Sequence, residues 1–290
     1  MPSVKKTTVR KPANRVSKPR KPNNGQSIVD SITSVGDLPT SGVKMLITGP
    51  TKTGKTTLAC SAPKPLLLIR PESVEDGARS VRTVKGVDAS PFLTSCDQLK
   101  ELVEYQAKTG KYKTLVLDGV QFFQDLVLKK ILSLDKAPVQ LQWGTATQQN
   151  WGQVGLELKQ YLRDLFALAD EQNGGTNIIV TGGERVLNND PDASSLLEPK
   201  IVVAVSPSAA GWLNFVADYI VCTFLRRSVE KVESTIAGKK ITTEKPGDSM
   251  EYCLRIGPHE AYTTGFRVPK GSNLPDVMID PTFKKLQDLM

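Results

Sequence analysis

Gly49, Gly54, Lys55 and Thr56 stand in the stretch GPTKTGKTTL, residues 49–58, at the spacing G-x-x-x-x-G-K-[ST]. Glycines at that spacing let a backbone fold tightly enough to aim several N–H groups inward, and a helix starting there adds its positive N-terminal end. The result is a cradle for phosphates. Gly49, Pro50, Thr51, Lys52, Thr53, Gly54 and Thr57 would supply that wall. Lys55 is placed to reach the β- and γ-phosphates, and the Thr56 hydroxyl to ligate Mg²⁺, so the implied ligands are ATP and Mg²⁺. A chance match in a glycine-rich turn is the alternative. The buried-strand pattern before the motif and the helix-compatible run after it argue against chance.

Mg²⁺ takes oxygen ligands, and a carboxylate at a neighbouring strand end commonly completes its site. Asp118 ends the apolar run LVLDG and fits that role, the bland reading being a turn former. A water-orienting group is also required for hydrolysis. Glu72, at the end of LLLIRPE, is the candidate, with Glu75 and Asp76 as competitors and a solvated surface acid as the alternative. Thr181, at the tip of IIVTGGE, could sense the γ-phosphate. Glu184 and Arg185 begin the next segment and could couple nucleotide state to a partner. His259, between Pro258 and Glu260, reads as a turn residue; Trp151 and Trp212 read as core, and Trp143 alone lies in a polar context.

These residues need strands whose ends open on one crevice. From residue 43 short apolar runs alternate with longer periodic stretches, the pattern of a parallel sheet covered by helices. VKMLITG, PLLLIRPE, YKTLVLDGV and TNIIVTGGE read as strands. Helices are expected from Lys55 to Ser61, after an Asp97 N-cap up to Gly110, over QFFQDLVLKKILSL, and from Trp151 to a Gly174–Gly175 stop. Glu184 to Pro199 reads as a mobile loop. DYIVCTFLRR, SVEKVEST, KKITTEK and MEYCLRIG read as short antiparallel strands at the sheet edge, with a hairpin at Gly238, and DPTFKKLQDLM as a closing helix.

Of the 38 Lys and Arg, eight lie in residues 1–29, which hold no acid, leaving 30 to balance the 30 Asp and Glu of residues 30–290. The net charge of +8 therefore belongs to the arm. Rich in Pro and Asn and poor in apolar residues, the arm cannot offset its folding entropy and is expected to be disordered. It suits a polyanion, where phosphate contacts release counterions, or serves only as a solubilising terminus. It has no apolar signal core, and its regular prolines argue against a transit helix. The division expected is an arm, 1–29, and one domain, 30–290. Cys60, Cys96, Cys222 and Cys253 are scattered, which disfavours zinc clusters and disulfides and suits a reduced cytoplasmic protein. No apolar run approaches the ~20 residues of a membrane span.

Taken together, LITGPTKTGKTTLA, PLLLIRPE, YKTLVLDGV, IIVTGGE, FVADYIV and YTTGFRVPKGSNLPDVMIDPTFKKL resemble the phage RecA-like P-loop ATPases, which include single-strand-annealing recombinases. The resemblance runs from about Gly42 to the C-terminus. It implies an α/β fold: a RecA-like P-loop NTPase core, mostly parallel, with helices on both faces and antiparallel strands added in the C-terminal part. The chain departs from the family pattern at three places. Arg70 stands where a strand-two D-x-E motif has aspartate, Gly183 precedes Glu184 where a histidine is usual, and Arg267 stands alone where a basic pair is usual. By the same resemblance, the loop from Glu184 to Pro199 lies where RecA-like proteins contact DNA, and Arg267 would act in trans on a neighbour's nucleotide.

The expected function is an ATP- and Mg²⁺-dependent ATPase that binds single-stranded DNA and assists annealing or recombination in phage DNA metabolism. Its partners would be single-stranded DNA, further copies in a filament or ring, and a single-strand-binding protein, with no membrane. Two alternatives stay open: a nucleotide-gated annealing module with little or no hydrolysis, and a small-molecule kinase. The kinase lacks an evident arginine lid, since Arg226 and Arg227 lie in the β-rich half.

Overall fold

The structure, a computed structural model, describes residues 41–71, 76–133, 146–187, 200–236, 239–269 and 271–290, with Ile32 and Ser34. The chain divides into two units, Met1–Pro39 and Thr40–Met290. The arm falls outside the described residues, and the elements below all belong to the second unit.

Six strands form a parallel sheet, and its inner members β1, β2, β4 and β5 run buried on both faces. They are β1 (Lys44–Thr48), β2 (Leu66–Arg70), β3 (Val87–Phe92), β4 (Thr114–Asp118), β5 (Asn177–Thr181) and β8 (Tyr219–Ile236), in the order β3-β2-β4-β5-β1-β8. Strand alternation divides the core. Leu46, Ile69, Leu117 and Val180 face one helical layer, α2 (Asp97–Thr109), α3 (Val120–Ile131), α4 (Gln148–Phe166) and α5 (Pro207–Val216). Met45, Ile47, Leu68, Val116 and Ile179 face the other, where α1 (Lys55–Ala59) and α6 (Phe283–Gln287) bury Leu58, Phe283 and Leu286. In α4, Val154, Leu158, Leu162 and Leu165 make the buried stripe of an amphipathic helix. Its start is fixed by a capping box: Thr147 Oγ1 accepts from the Asn150 N–H at 3.2 Å, and Asn150 Oδ1 accepts from the Thr147 N–H at 2.8 Å.

The sheet continues beyond β8 with β9 (Lys239–Arg255) and β11 (Val277–Ile279), both antiparallel to their neighbours, while β10 (Gly265–Phe266) pairs with the start of β8. The α/β core, a mostly parallel sheet with helices on both faces and antiparallel strands added late in the chain, is thus as the resemblance implies.

Several local expectations need correction. The four short C-terminal runs are two long strands, β8 and β9, and β8 enters the sheet parallel to β1 rather than antiparallel. They stay continuous because a register shift between Arg227 and Val229 absorbs an irregularity that reads as a break in the sequence. The helix after Asp97 is capped by Cys96, Asp97 being its first helical residue. The segment from Glu184 is ordered at its two ends as a two-stranded sheet, β6 (Glu184–Leu187) and β7 (Lys200–Val203); residues 188–199 lie outside the described residues. Strand β3 and helix α5 have no counterpart among the elements expected from sequence. Among the described residues, no helix is long and apolar enough to cross a membrane.

Candidate functional site

The site is built at the C-terminal ends of three adjacent strands. Register aligns Asp118 with Thr181, and Thr181 with Ile47 of β1, so the exits of β4, β5 and β1 lie in one row. The phosphate loop leaves β1 at the end of that row. Gly49 (φ 143°) takes a conformation that L side chains rarely adopt, and a Cβ there would stand 2.3 Å from Thr223 Oγ1. Gly54 (φ 91°) makes the left-handed turn into α1. Thr53 ties the loop to β8: its hydroxyl donates to the Pro50 carbonyl at 2.8 Å and lies 2.6 Å from Thr223 Oγ1. Thr223 in turn donates to the Thr48 carbonyl at 3.2 Å. Lys55 Nζ donates to the carbonyls of Gly49 (2.8 Å) and Pro50 (2.6 Å), which holds the ammonium across the loop.

Asp118 is the hub. Thr56 Oγ1 lies 3.0 Å from both of its carboxylate oxygens. Thr181 Oγ1 donates to Oδ1 at 2.7 Å while accepting the Gly119 N–H at 2.9 Å. Thr181 therefore orients Asp118 from behind. Opposite, Asp76 caps the 3₁₀ turn Gly77–Val81 by accepting the Ala78 N–H at 3.1 Å, and it pairs with Arg70 at 3.4 Å. That turn carries Gly77 against the hub, where a Cβ would meet Asp118 Oδ2 at 2.2 Å and Thr56 Oγ1 at 2.6 Å. An all-oxygen set of a hydroxyl and a carboxylate, with no side chain filling the space beside it, fits Mg²⁺. The negative charge of Asp118 is felt below α1 as well: burial first, and then Asp118, push the Cys60 thiol up to about 12.

The whole opens as a cavity of about 740 Å³, lined by Lys52–Leu58, Asp76, Gly77, Ser80, Asp118, Gly119, Gln121, Phe122, Thr181 and Gly182, and by Tyr252, Asp280, Pro281 and Thr282. That volume lies within the range of nucleotide-sized ligand sites. Of the candidates named from sequence, Lys52, Thr53, Gly54, Lys55, Thr56, Thr57, Asp118 and Thr181 all line this cavity. Gly49, Pro50 and Thr51, expected in the phosphate-binding wall, form the loop's entry and do not line the cavity. Glu72 and Glu75 lie outside the described residues, and Asp76 is the acid of that group seen at the cavity. Gly77, Ser80, Gln121 and Phe122 carry no motif signal and were missed, although Gln121 and Phe122 directly follow the Asp118 strand end.

Arg267 is not at this chain's cavity. Its N–H bonds to the Asp218 carbonyl, and the Asp218 N–H to the Lys44 carbonyl at the start of β1, so it lies at the opposite end of the sheet. There its guanidinium pairs with Asp218 Oδ1 at 2.8 Å and donates to the Phe215 carbonyl at 2.6 Å. Glu184 faces β8, where Cys222 Sγ donates to its Oε1 at 2.9 Å; burial and then Glu184 push that thiol far above its ordinary range. His259 accepts the Ala261 N–H at 3.1 Å, as a turn residue would. Trp151 and Trp212 pack against the core. Trp143 lies outside the described residues.

The model of a family described as AAA domain matches residues 41–267. Comparison with curated protein sequences returns no match. Among solved structures, one similar chain is a KaiC-like protein from the hyperthermophilic archaeon Pyrococcus horikoshii OT3. It is 14% identical and aligns over 83% of this chain and 91% of that one at a TM-score of 0.39.

Proposed function

Because the chain belongs to the AAA domain family of P-loop ATPases, we propose that it hydrolyses ATP with Mg²⁺ while bound to single-stranded DNA, and that it assists annealing or recombination in phage DNA metabolism. The observation that carries the nucleotide half is the convergence of Thr56, Thr181 and Gly77 on the Asp118 carboxylate at the mouth of the phosphate loop. The DNA half is supported by the excess charge confined to residues 1–29.

In this reading the N–H groups of the loop hold the phosphates and Lys55 neutralises the outer ones. Bound Mg²⁺ supplies charge stabilisation at the transferring phosphoryl group. Thr56 and Asp118 would hold it, and Thr181 keeps Asp118 from rotating away. Glu72 orients the attacking water. Arg267, out of reach of its own cavity, serves a neighbouring copy's nucleotide in a filament or ring, and the exposed Phe215 beside it lies on that interface. A single-strand-binding protein is a further partner of such an assembly.

The test is equilibrium binding of single-stranded DNA to the full chain and to a chain lacking residues 1–29, with and without ATP and Mg²⁺, across a salt series. Each arm residue that neutralises a phosphate contributes about 0.7 to the salt slope on single strands, so the deletion lowers both affinity and slope. An unchanged slope would remove the arm from the interface. No binding in any nucleotide state would overturn the DNA half of the proposal.

A further inference from the structure

The cavity has an end that phosphates and a metal ion do not use. Tyr252 of β9 and Asp280, Pro281 and Thr282, between β11 and α6, wall it together with Leu58. Tyr252 Cδ1 lies 3.4 Å from where a Cβ on Gly54 would stand, so the phenol ring lies against the loop with 49% of the residue's surface exposed. A large aromatic half open to a cavity is a stacking face for a planar base.

Asp280 lies beside it. Its N–H donates to the Tyr252 carbonyl at 2.8 Å, and its own carbonyl accepts from Lys285 Nζ at 2.8 Å. Its backbone is left-handed (φ 47°), which Asp tolerates better than most residues. The main chain is thus fixed on both sides while the carboxylate makes no hydrogen bond or ion pair among the described residues. An ionised carboxylate can only accept, so a ligand that satisfies it must bring N–H donors. A base carbonyl in the same place would set acceptor against acceptor.

We propose that Tyr252 and Asp280 read the base of the bound nucleotide: a purine stacks on Tyr252 and donates its exocyclic amine to the Asp280 carboxylate. This rests on the cavity being a nucleoside-triphosphate site, and the test separates the two claims. Binding of ATP, GTP, ITP and inorganic tripolyphosphate, each with Mg²⁺, is measured on the full chain and on Tyr252→Ala, Tyr252→Phe, Asp280→Ala and Lys55→Ala. ITP differs from ATP at the 6-amine and from GTP only by the missing 2-amine, so the two ratios identify adenine or guanine as the base.

The wild type binds one of the two at least about tenfold more tightly than ITP, and Asp280→Ala brings that ratio near one. Tyr252→Ala weakens the nucleotides by about tenfold to a hundredfold, the range of base–aromatic stacking, and leaves tripolyphosphate unchanged; Tyr252→Phe retains the affinity. If Lys55→Ala abolishes all binding while the Tyr252 and Asp280 variants keep wild-type ratios, the base proposal alone falls. If Lys55→Ala binds ATP and tripolyphosphate as the wild type does, the triphosphate site falls and the proposal with it.

Discussion

Replacing Gly77 by alanine would put a methyl carbon 2.2 Å from Asp118 Oδ2, 2.6 Å from Thr56 Oγ1 and 3.0 Å from Thr56 Cγ2. A carbon rests about 3.3 Å or more from an oxygen, so one of these groups must shift by about 1 Å. The backbone at Gly77 lies outside the left-handed region, so alanine itself is tolerated there and the perturbation is confined to the space beside Thr56 and Asp118. A displacement of about 1 Å at reacting groups costs on the order of a hundredfold in rate. The stability terms are smaller and opposed. Overpacking costs about 1–3 kcal/mol, while the less flexible unfolded chain returns about 0.4–1 kcal/mol. At ~2–4 °C per kcal/mol for a domain near this size, Tm falls by only a few degrees. Steady-state ATP turnover across a Mg²⁺ titration, with thermal unfolding alongside, reads both. Gly152→Ala is the control: it lies exposed on α4 with nothing within 4 Å of the added carbon, and should leave turnover alone. Gly77→Ala turnover within about threefold of wild type at every Mg²⁺ concentration would refute the assignment of Thr56 and Asp118 as the metal ligands.

Thr181→Val removes the hydroxyl that holds Asp118 and leaves the buried Gly119 N–H unpaired; urea unfolding should show a loss of about 1–3 kcal/mol, with turnover reduced at unchanged ATP affinity. Thr223→Val cuts the tie between β8 and Thr53, and should weaken ATP binding measured by calorimetry without unfolding the protein. Burial holds Cys60 up to about 12 and Cys96 up to about 11, so at pH 8 both remain protonated and unreactive. A thiol reagent should label them only as urea opens the fold; rapid labelling of the native protein would contradict the buried positions. Arg267→Ala breaks an exposed pair with Asp218, and should change stability by less than about 1 kcal/mol. If Arg267 serves a neighbour, turnover should fall only at concentrations where copies assemble.

The phosphate loop and the strands that carry Asp118 and Thr181 were legible because strands buried on both faces read as unbroken apolar runs, and the loop's chemistry is local in sequence. Helix α4 was legible from its stripe. Strand β3, VDASPF, is at the sheet edge, pairs with β2 alone among the described residues, and carries Pro91, so it has neither an apolar run nor a clean alternation. Helix α5 opens after Pro207 with four small residues, Ser208 to Gly211, which blunts its periodic signal. At the site, Gly77 was invisible because its role depends on a 3₁₀ turn folding back over Asp118. Tyr252 and Asp280 reach the cavity only through the pairing of β9 with β8 and β11, a long-range arrangement that no short motif encodes.

Whether this chain couples ATP hydrolysis to single-stranded DNA is decided by measuring ATP hydrolysis of the purified full chain with and without single strands, using Lys55→Ala as the blank. Mg²⁺-dependent hydrolysis should rise when single strands are added and be absent from Lys55→Ala. Hydrolysis indifferent to single strands, or equal in Lys55→Ala, would contradict the proposed coupling.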